Sequence, residues 1–202
     1  MNKLKISILS WVIAVFTGMV IFTSCTKDES FAPQTQSSST ASKIAKPDVP
    51  AIIAVPAGNK VLWFAYATGT QIYTCTQSST DAAVYTWVFT APSATLYSDQ
   101  DYMHEIGIHY TGPTWASTVG PKAGKFVMGT KLQGVTQDVT AIPWLLLQAQ
   151  VSTDPMYNHN ITYIQRLYTT GGLAPTTGAD AAHVGEQMSV PYTAVYYFFG
   201  AK

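Results

Sequence analysis

Read for its apolar and polar positions, the chain falls into three stretches. Ile6 to Phe22 is an apolar run broken only by Ser7, Ser10, Thr17 and Gly18. From Thr26 to about Asp48, Ser, Thr, Gln, Lys and Pro dominate, with Phe31 and Ile44 the only large apolar side chains. From Val49 to Lys202, runs rich in β-branched and aromatic residues recur between turn signals: Lys60 to Ala67, Gln71 to Thr76, Ala83 to Thr90, Lys125 to Leu132, Ile142 to Val151, Ile161 to Tyr168 and Tyr192 to Phe199. Short runs with period-two alternation read as half-buried strands. No stretch holds helical periodicity over three turns, and the one short helix expected is near Ala179 to Val184. Thr68-Gly69 between the first two runs fits a tight hairpin turn, since glycine takes the positive φ such turns need. Alternation puts Leu62, Phe64 and Tyr66 on one face. The expected architecture is all-β, a single antiparallel β-sandwich or barrel-like domain. Its long Gly/Pro-rich passages, around Gly112 to Gly124 and Gly171 to Gly185, are the expected functional loops.

Composition narrows the partners. Of 202 residues, 47% are hydrophobic and only 11% charged, and 11 basic residues balance 11 acidic ones. Too apolar for a disordered chain and too rich in glycine and proline for a helical bundle, it suits one β-rich domain with appendages. The stretch from Val49 has six basic residues against eight acidic ones, a net charge of about −2. With one arginine in the whole chain, Arg166, there is no electrostatic footprint for nucleic acid.

The first stretch carries an address. Lys3 and Lys5 precede the apolar run, and Phe22-Thr23-Ser24-Cys25 follows it, the layout of a secretory signal with its cleavage site. The run sits at the lower limit for spanning a hydrocarbon core of roughly 30 Å, so an uncleaved anchor is the alternative. Small residues directly before Cys25 resemble a bacterial lipobox, in which the cysteine is lipidated and becomes the mature N-terminus. The expected organisation is a lipoprotein signal peptide over 1–24, lipidated Cys25 and a flexible linker over 25–48, and a folded domain over 49–202. Thr26, where retained lipoproteins carry Asp, implies outer-membrane sorting. Lys27-Asp28-Glu29 resembles the surface-export signal of Bacteroidetes-type lipoproteins; the bland reading is three solvated linker charges on a periplasm-facing anchor.

The domain carries a second resemblance. Val55-Pro56-Ala57-Gly58-Asn59, Gln71-Ile72-Tyr73-Thr74-Cys75, Gly107 to Trp115, Ile142-Pro143-Trp144-Leu145-Leu146, Tyr163-Ile164-Gln165-Arg166 before Thr170-Gly171-Gly172, and Val190-Pro191-Tyr192-Thr193-Ala194 occur in order. Together they resemble domain-of-unknown-function family 3455, over essentially all of Val49 to Phe199. The resemblance implies a secreted or exported protein of bacterial or fungal type and no established activity. Members usually carry a cysteine in a Gly-Cys-Asp sequence where this chain has Gly178-Ala179-Asp180. By that resemblance the partner of Cys75 is missing and Cys75 is a free thiol. Members also commonly have Asp-Gly-Ser where Val119-Gly120-Pro121 stands, so a role needing that acid has no residue here.

Motifs for common chemistries are absent. No phosphate loop, dinucleotide fingerprint or G-x-S-x-G elbow occurs, which removes kinase and dehydrogenase readings and weakens a serine hydrolase. Cys75, within an apolar strand pattern, reads as a buried inert thiol rather than a nucleophile. His104-Glu105 resembles the start of a zincin helix, but His104 and His109 are five apart, with Gly107 between them, and cannot share a helical face. His109, with His183 or Asp180 as companions, is the weak metal candidate; the bland reading is a hydrogen-bonded loop histidine. No cofactor is predicted.

Arg166 is the most suggestive single residue, because a guanidinium in a strand must meet a carboxylate or a ligand anion. A structural ion pair with Asp180, Glu186 or another acid is one reading. An anchor for a substrate carboxylate or sulfate is the other, with Gln165 facing the opposite side of the sheet. Trp63, Trp87 and Trp144 read as core, while Trp115, in its Gly/Pro passage, reads equally as core or as a stacking platform for sugar rings. The expected function is that of a surface or periplasm-facing outer-membrane lipoprotein acting as a binding or interaction module for a small molecule or glycan. An extracytoplasmic enzyme with His109, His183 and Arg166 in a pocket is the alternative, and a purely structural envelope protein the third. A binding platform predicts an exposed Trp115; an enzyme predicts His109 gathered with Arg166 and acids.

Overall fold

The computed structural model of the protein describes residues 44–152 and 160–202. The expected signal segment, Cys25, the Lys27-Asp28-Glu29 signal and nearly all of the linker lie outside the described residues. So does His159.

Eight strands form the domain: β1 (Asn59–Gln77), β2 (Tyr85–Tyr97), β3 (Glu105–Tyr110), β4 (Thr114–Ser117), β5 (Phe126–Val135), β6 (Trp144–Ser152), β7 (Ile161–Gly171) and β8 (Gln187–Ala201). Each pairs antiparallel with the next, and β8 returns to pair with β1, closing an up-and-down barrel in strand order. Of the sandwich and barrel alternatives, closure selects the barrel, which leaves no unpaired sheet edge. Period-two alternation is the cause. In β1, Trp63, Ala65, Ala67, Gln71, Tyr73 and Cys75 are buried while the residues between them are half-buried. In β8, Tyr192, Ala194, Tyr196 and Phe198 alternate in the same way. Phe64 and Tyr66 share the outer face, their ring centroids 5.6 Å apart, but Leu62, expected with them, falls at a register shift between Val61 and Trp63 and packs with the interior cluster of Trp63.

The expected hairpin at Thr68-Gly69 does not exist. β1 runs unbroken through Gly69, which pairs with Ala94 of β2 on one side and Tyr192 of β8 on the other. Gly69 is needed for close approach rather than for a turn: an added Cβ would collide with the Ser93 carbonyl oxygen and with Ala94. β2 likewise continues through Pro92, beyond its expected end at Thr90, next to a register shift opposite Ile72 and Tyr73. The passage from Gly112 to Gly124, expected to be a loop, contains β4, so Trp115 is a strand residue. The short helix expected near Ala179 to Val184 is one 3-10 turn, Ala181–His183, capped by the Asp180 carboxylate accepting from Ala182 N at 2.8 Å. Among the described residues there is no α-helix.

The barrel interior is filled in one half. Trp63 stacks on Phe198 with ring centroids 3.7 Å apart, and Leu96, Val127, Ile161 and Ile164 pack with them. A second cluster lies outside the wall, where Ile53 and Val55 from the segment before β1 cover Leu146, Leu167 and Phe199. Gln165 belongs to this outer layer, donating Nε2 to the Ile53 carbonyl at 2.7 Å.

A third cluster gathers Tyr73, Cys75 and Trp87 against Ala174 and Ala179 of the loop before β8. Cys75 is a free, buried thiol, as expected, with Sγ 3.6 Å from the Asp180 carbonyl. The position left without its cysteine by the resemblance thus packs beside Cys75. Ala179→Cys is expected to form a disulfide with Cys75 under mild oxidation and to stabilise the domain by about 2–4 kcal/mol. Thiol titration and reducing versus non-reducing melting curves check it; two free thiols after oxidation would show the geometry to be wrong.

Candidate functional site

The other half of the barrel is hollow. A cavity of about 660 Å³ is lined from every strand, with Thr90 of β2 and Thr111 among its polar side chains beside Gln71 and Tyr73 of β1, His109 of β3, Lys131 of β5, Arg166 of β7 and Tyr196 of β8. Ile142, Leu145 and Leu147 supply apolar wall, and Phe89 and the Thr111-Gly112-Pro113 turn border it. That volume lies within the range of about 300–1,000 Å³ typical of small-molecule pockets. No aspartate or glutamate among the described residues lines it.

Arg166 enters the cavity because strand parity turns it inward while its neighbour Gln165 turns outward. Its guanidinium is gripped from one side. Nε and Nη2 donate to the Pro143 carbonyl at 3.2 and 2.9 Å, which fixes the plane of the group. The ion pair expected with Asp180, Glu186 or another acid is not formed; among the described residues Arg166 meets no carboxylate. Its positive charge reaches Tyr73, His109, Tyr192 and Tyr196, in each case favouring the less protonated form. Burial outweighs that at the three phenols, whose pKa values all rise.

His109 is 3% exposed, on β3 facing inward. Nδ1 lies 2.8 Å from the Thr114 carbonyl oxygen, which can only accept, so Nδ1 carries the proton and Nε2 is an acceptor without a partner among the described residues. The ring stacks on Trp115 at 4.4 Å and 9° and tilts against Tyr196 at 5.0 Å. Burial pushes its pKa down to about 3, helped by the Arg166 charge and opposed by the bond to Thr114. At neutral pH this is an uncharged wall group, far from the value a general base needs. Trp115 is 1% exposed, so it is no surface platform. Its Nε1 and the Gln71 Nε2 are buried donors at the cavity wall without a hydrogen-bond partner, although the Gln71 amide stands close to the Tyr192 hydroxyl.

Of the six side chains singled out in the sequence, the cavity gathers His109, Trp115 and Arg166. It does not gather Gln165, Asp180 or His183. Asp180 and His183 pair with each other at 2.7 Å on the loop before β8, raising the histidine pKa through that hydrogen bond and lowering the carboxylate's. His109 and His183 therefore share no site, and among the described residues no three of His, Cys, Asp or Glu are placed to hold a metal ion. Gln71, Tyr73, Lys131 and Tyr196 were missed. Extending the β1 alternation through Gly69 puts Gln71 and Tyr73 on the face of Trp63, a signal that the hairpin reading erased.

These features define a class: a closed antiparallel barrel with a ligand-sized, cationic interior cavity. The chain belongs to the DUF3455 family, proteins of unknown function, whose model matches residues 56–200. Neither the comparison with curated proteins nor that with solved structures finds a match.

The buried neutral histidine makes the fold acid-sensitive. Its folded pKa, about 3, lies below the ordinary 6.5, so the unfolded chain binds the proton first. The stability that neutral His109 provides is complete above pH 6.5 and is lost as pH falls toward 3, on the order of 4 kcal/mol over that interval. His109→Gln, which keeps a donor for Thr114, should flatten the fall between pH 7 and 4 in urea unfolding; parallel curves for the two proteins would contradict the assignment.

Proposed function

We propose that the domain binds a small molecule inside the barrel, and that it does so outside the cytoplasm on a lipid anchor at Cys25. The observation that carries this reading is the 660 Å³ cavity, with an arginine in its wall that no described carboxylate neutralises. A half-buried guanidinium held on one edge by a backbone carbonyl, with no described carboxylate beside it, is suited to meet an anion. Against the glycan platform stands the burial of Trp115. Against the enzyme stand the absence of any acid or cysteine among the described residues of the cavity wall and a histidine that stays neutral down to about pH 3. The anchor rests on sequence: the apolar run, the small residues before Cys25 and the polar stretch after it fit a tethered outer-membrane lipoprotein, with Lys27-Asp28-Glu29 favouring the cell surface.

A neutral solvatochromic dye such as prodan should bind the soluble domain with one-to-one stoichiometry and a blue-shifted emission. Leu145→Trp, which fills the apolar wall, should abolish that binding while leaving the melting transition cooperative. Equal dye binding in both proteins would remove the interior as the site. For the anchor, the full-length protein made in a lipoprotein-processing bacterium should incorporate labelled palmitate, and Cys25→Ser should abolish the label; an unlabelled parent protein, or label that survives Cys25→Ser, would refute lipidation there.

A further inference from the structure

The chemistry of the cavity narrows its occupant. Pro143 occupies one edge of the Arg166 guanidinium, the edge formed by Nε–H and one hydrogen of Nη2. The remaining edge, formed by Nη1 and the second hydrogen of Nη2, presents two parallel donors in the spacing that a carboxylate accepts bidentately. Among the described residues no carboxylate takes them, and the Tyr196 phenol stands near enough to feel both the charge and the N–H groups. Among the described residues the wall otherwise lacks anions.

We propose that the cavity takes an apolar monocarboxylate, its carboxylate clasped by the edge of Arg166 turned away from Pro143, beside the Tyr196 phenol, and its body lying along Ile142, Leu145, Leu147 and the rim residue Phe89. The proposal rests on the small-molecule reading and makes it specific. One charge is the number the interior can neutralise: Arg166 is the cation of the inner wall, His109 is uncharged, and Lys131, the other cation, is exposed on β5 at the rim. A second anionic group on the ligand would be desolvated without a partner. At the mouth Lys131 raises the local concentration of anions without fixing their orientation. An ammonium compound meets two like charges and no acid, and is excluded by repulsion. A neutral alcohol of the same shape keeps the apolar contacts but leaves the guanidinium edge unpaired.

The test compares isosteres on the soluble domain by calorimetry: 2-naphthoate, 2-naphthalenemethanol and 2-naphthylmethylammonium, with prodan as the measure of cavity access. The naphthoate should bind at least about tenfold more tightly than the alcohol, and the ammonium should not bind measurably. In Arg166→Gln the acid's advantage over the alcohol should disappear, and Arg166→Lys should retain part of it. Equal affinity of acid and alcohol in the unmodified domain overturns the proposal, as does an advantage that survives Arg166→Gln. If prodan binds and none of the three naphthalenes does, the cavity reading stands and the carboxylate class falls. If prodan also fails, both fall. Should Arg166→Gln not fold, the acid-to-alcohol ratio in the unmodified domain and in Arg166→Lys decides.

Discussion

Pairing of β8 with β1 is the constraint on which the rest depends. Eight antiparallel strands left open would expose two edges, and here the longest ladder of the domain, from Asn59–Ala201 to Thr74–Gln187, joins them. Closure makes inside and outside a strict consequence of parity, so each strand commits alternate residues to one enclosed space. It also fixes which residues must be small. Ala67, Gly69, Ala94 and Ala194 lie where β1, β2 and β8 run side by side, and an added atom at Gly69 would drive β2 away. A ring so closed has an interior whether or not its side chains fill it. Trp63, Phe198 and their neighbours fill one half, and the other stays hollow.

What that hollow can do follows from its imbalance. A typical interior matches donors with acceptors and cations with anions. This wall has a fixed cation, the buried donors of Trp115 and Gln71, two phenols whose pKa values burial raises, Tyr73 and Tyr196, and a histidine kept neutral by burial. The Pro143 carbonyl satisfies part of Arg166 and, in doing so, aims the rest. The result is a fixed donor edge in an apolar surround, an arrangement suited to recognition.

Much of the fold was legible in the chain because alternation is a strong signal over long strands. The runs beginning at Lys125, Ile142, Ile161 and Tyr192 mark β5 to β8 closely. Reading failed where one residue has two uses. Gly69 signals a turn by propensity, yet serves here as the point of closest strand contact, a tertiary fact that no local pattern carries. β3 and β4 are only six and four residues long and sit among glycines and prolines, so Trp115 was placed in a loop. At the site, the opposition of Gln165 and Arg166 was readable from parity. The partner of Arg166 was not, because it is a backbone carbonyl, and a carbonyl has no signature in sequence. The same holds for Asp180 and His183, whose pairing across one turn takes them out of the cavity's chemistry.

Since the chain contains a single arginine, its side-chain NMR signals belong to Arg166 without ambiguity, and they report directly on the central claim of a guanidinium half held by Pro143 and half open. The Nε–H signal should be protected from exchange in the free domain. The Nη signals should shift and sharpen to saturation as 2-naphthoate is added, with Nε changing little. A rapidly exchanging Nε–H, or Nη signals already fixed in the free protein and indifferent to carboxylate, would contradict the account.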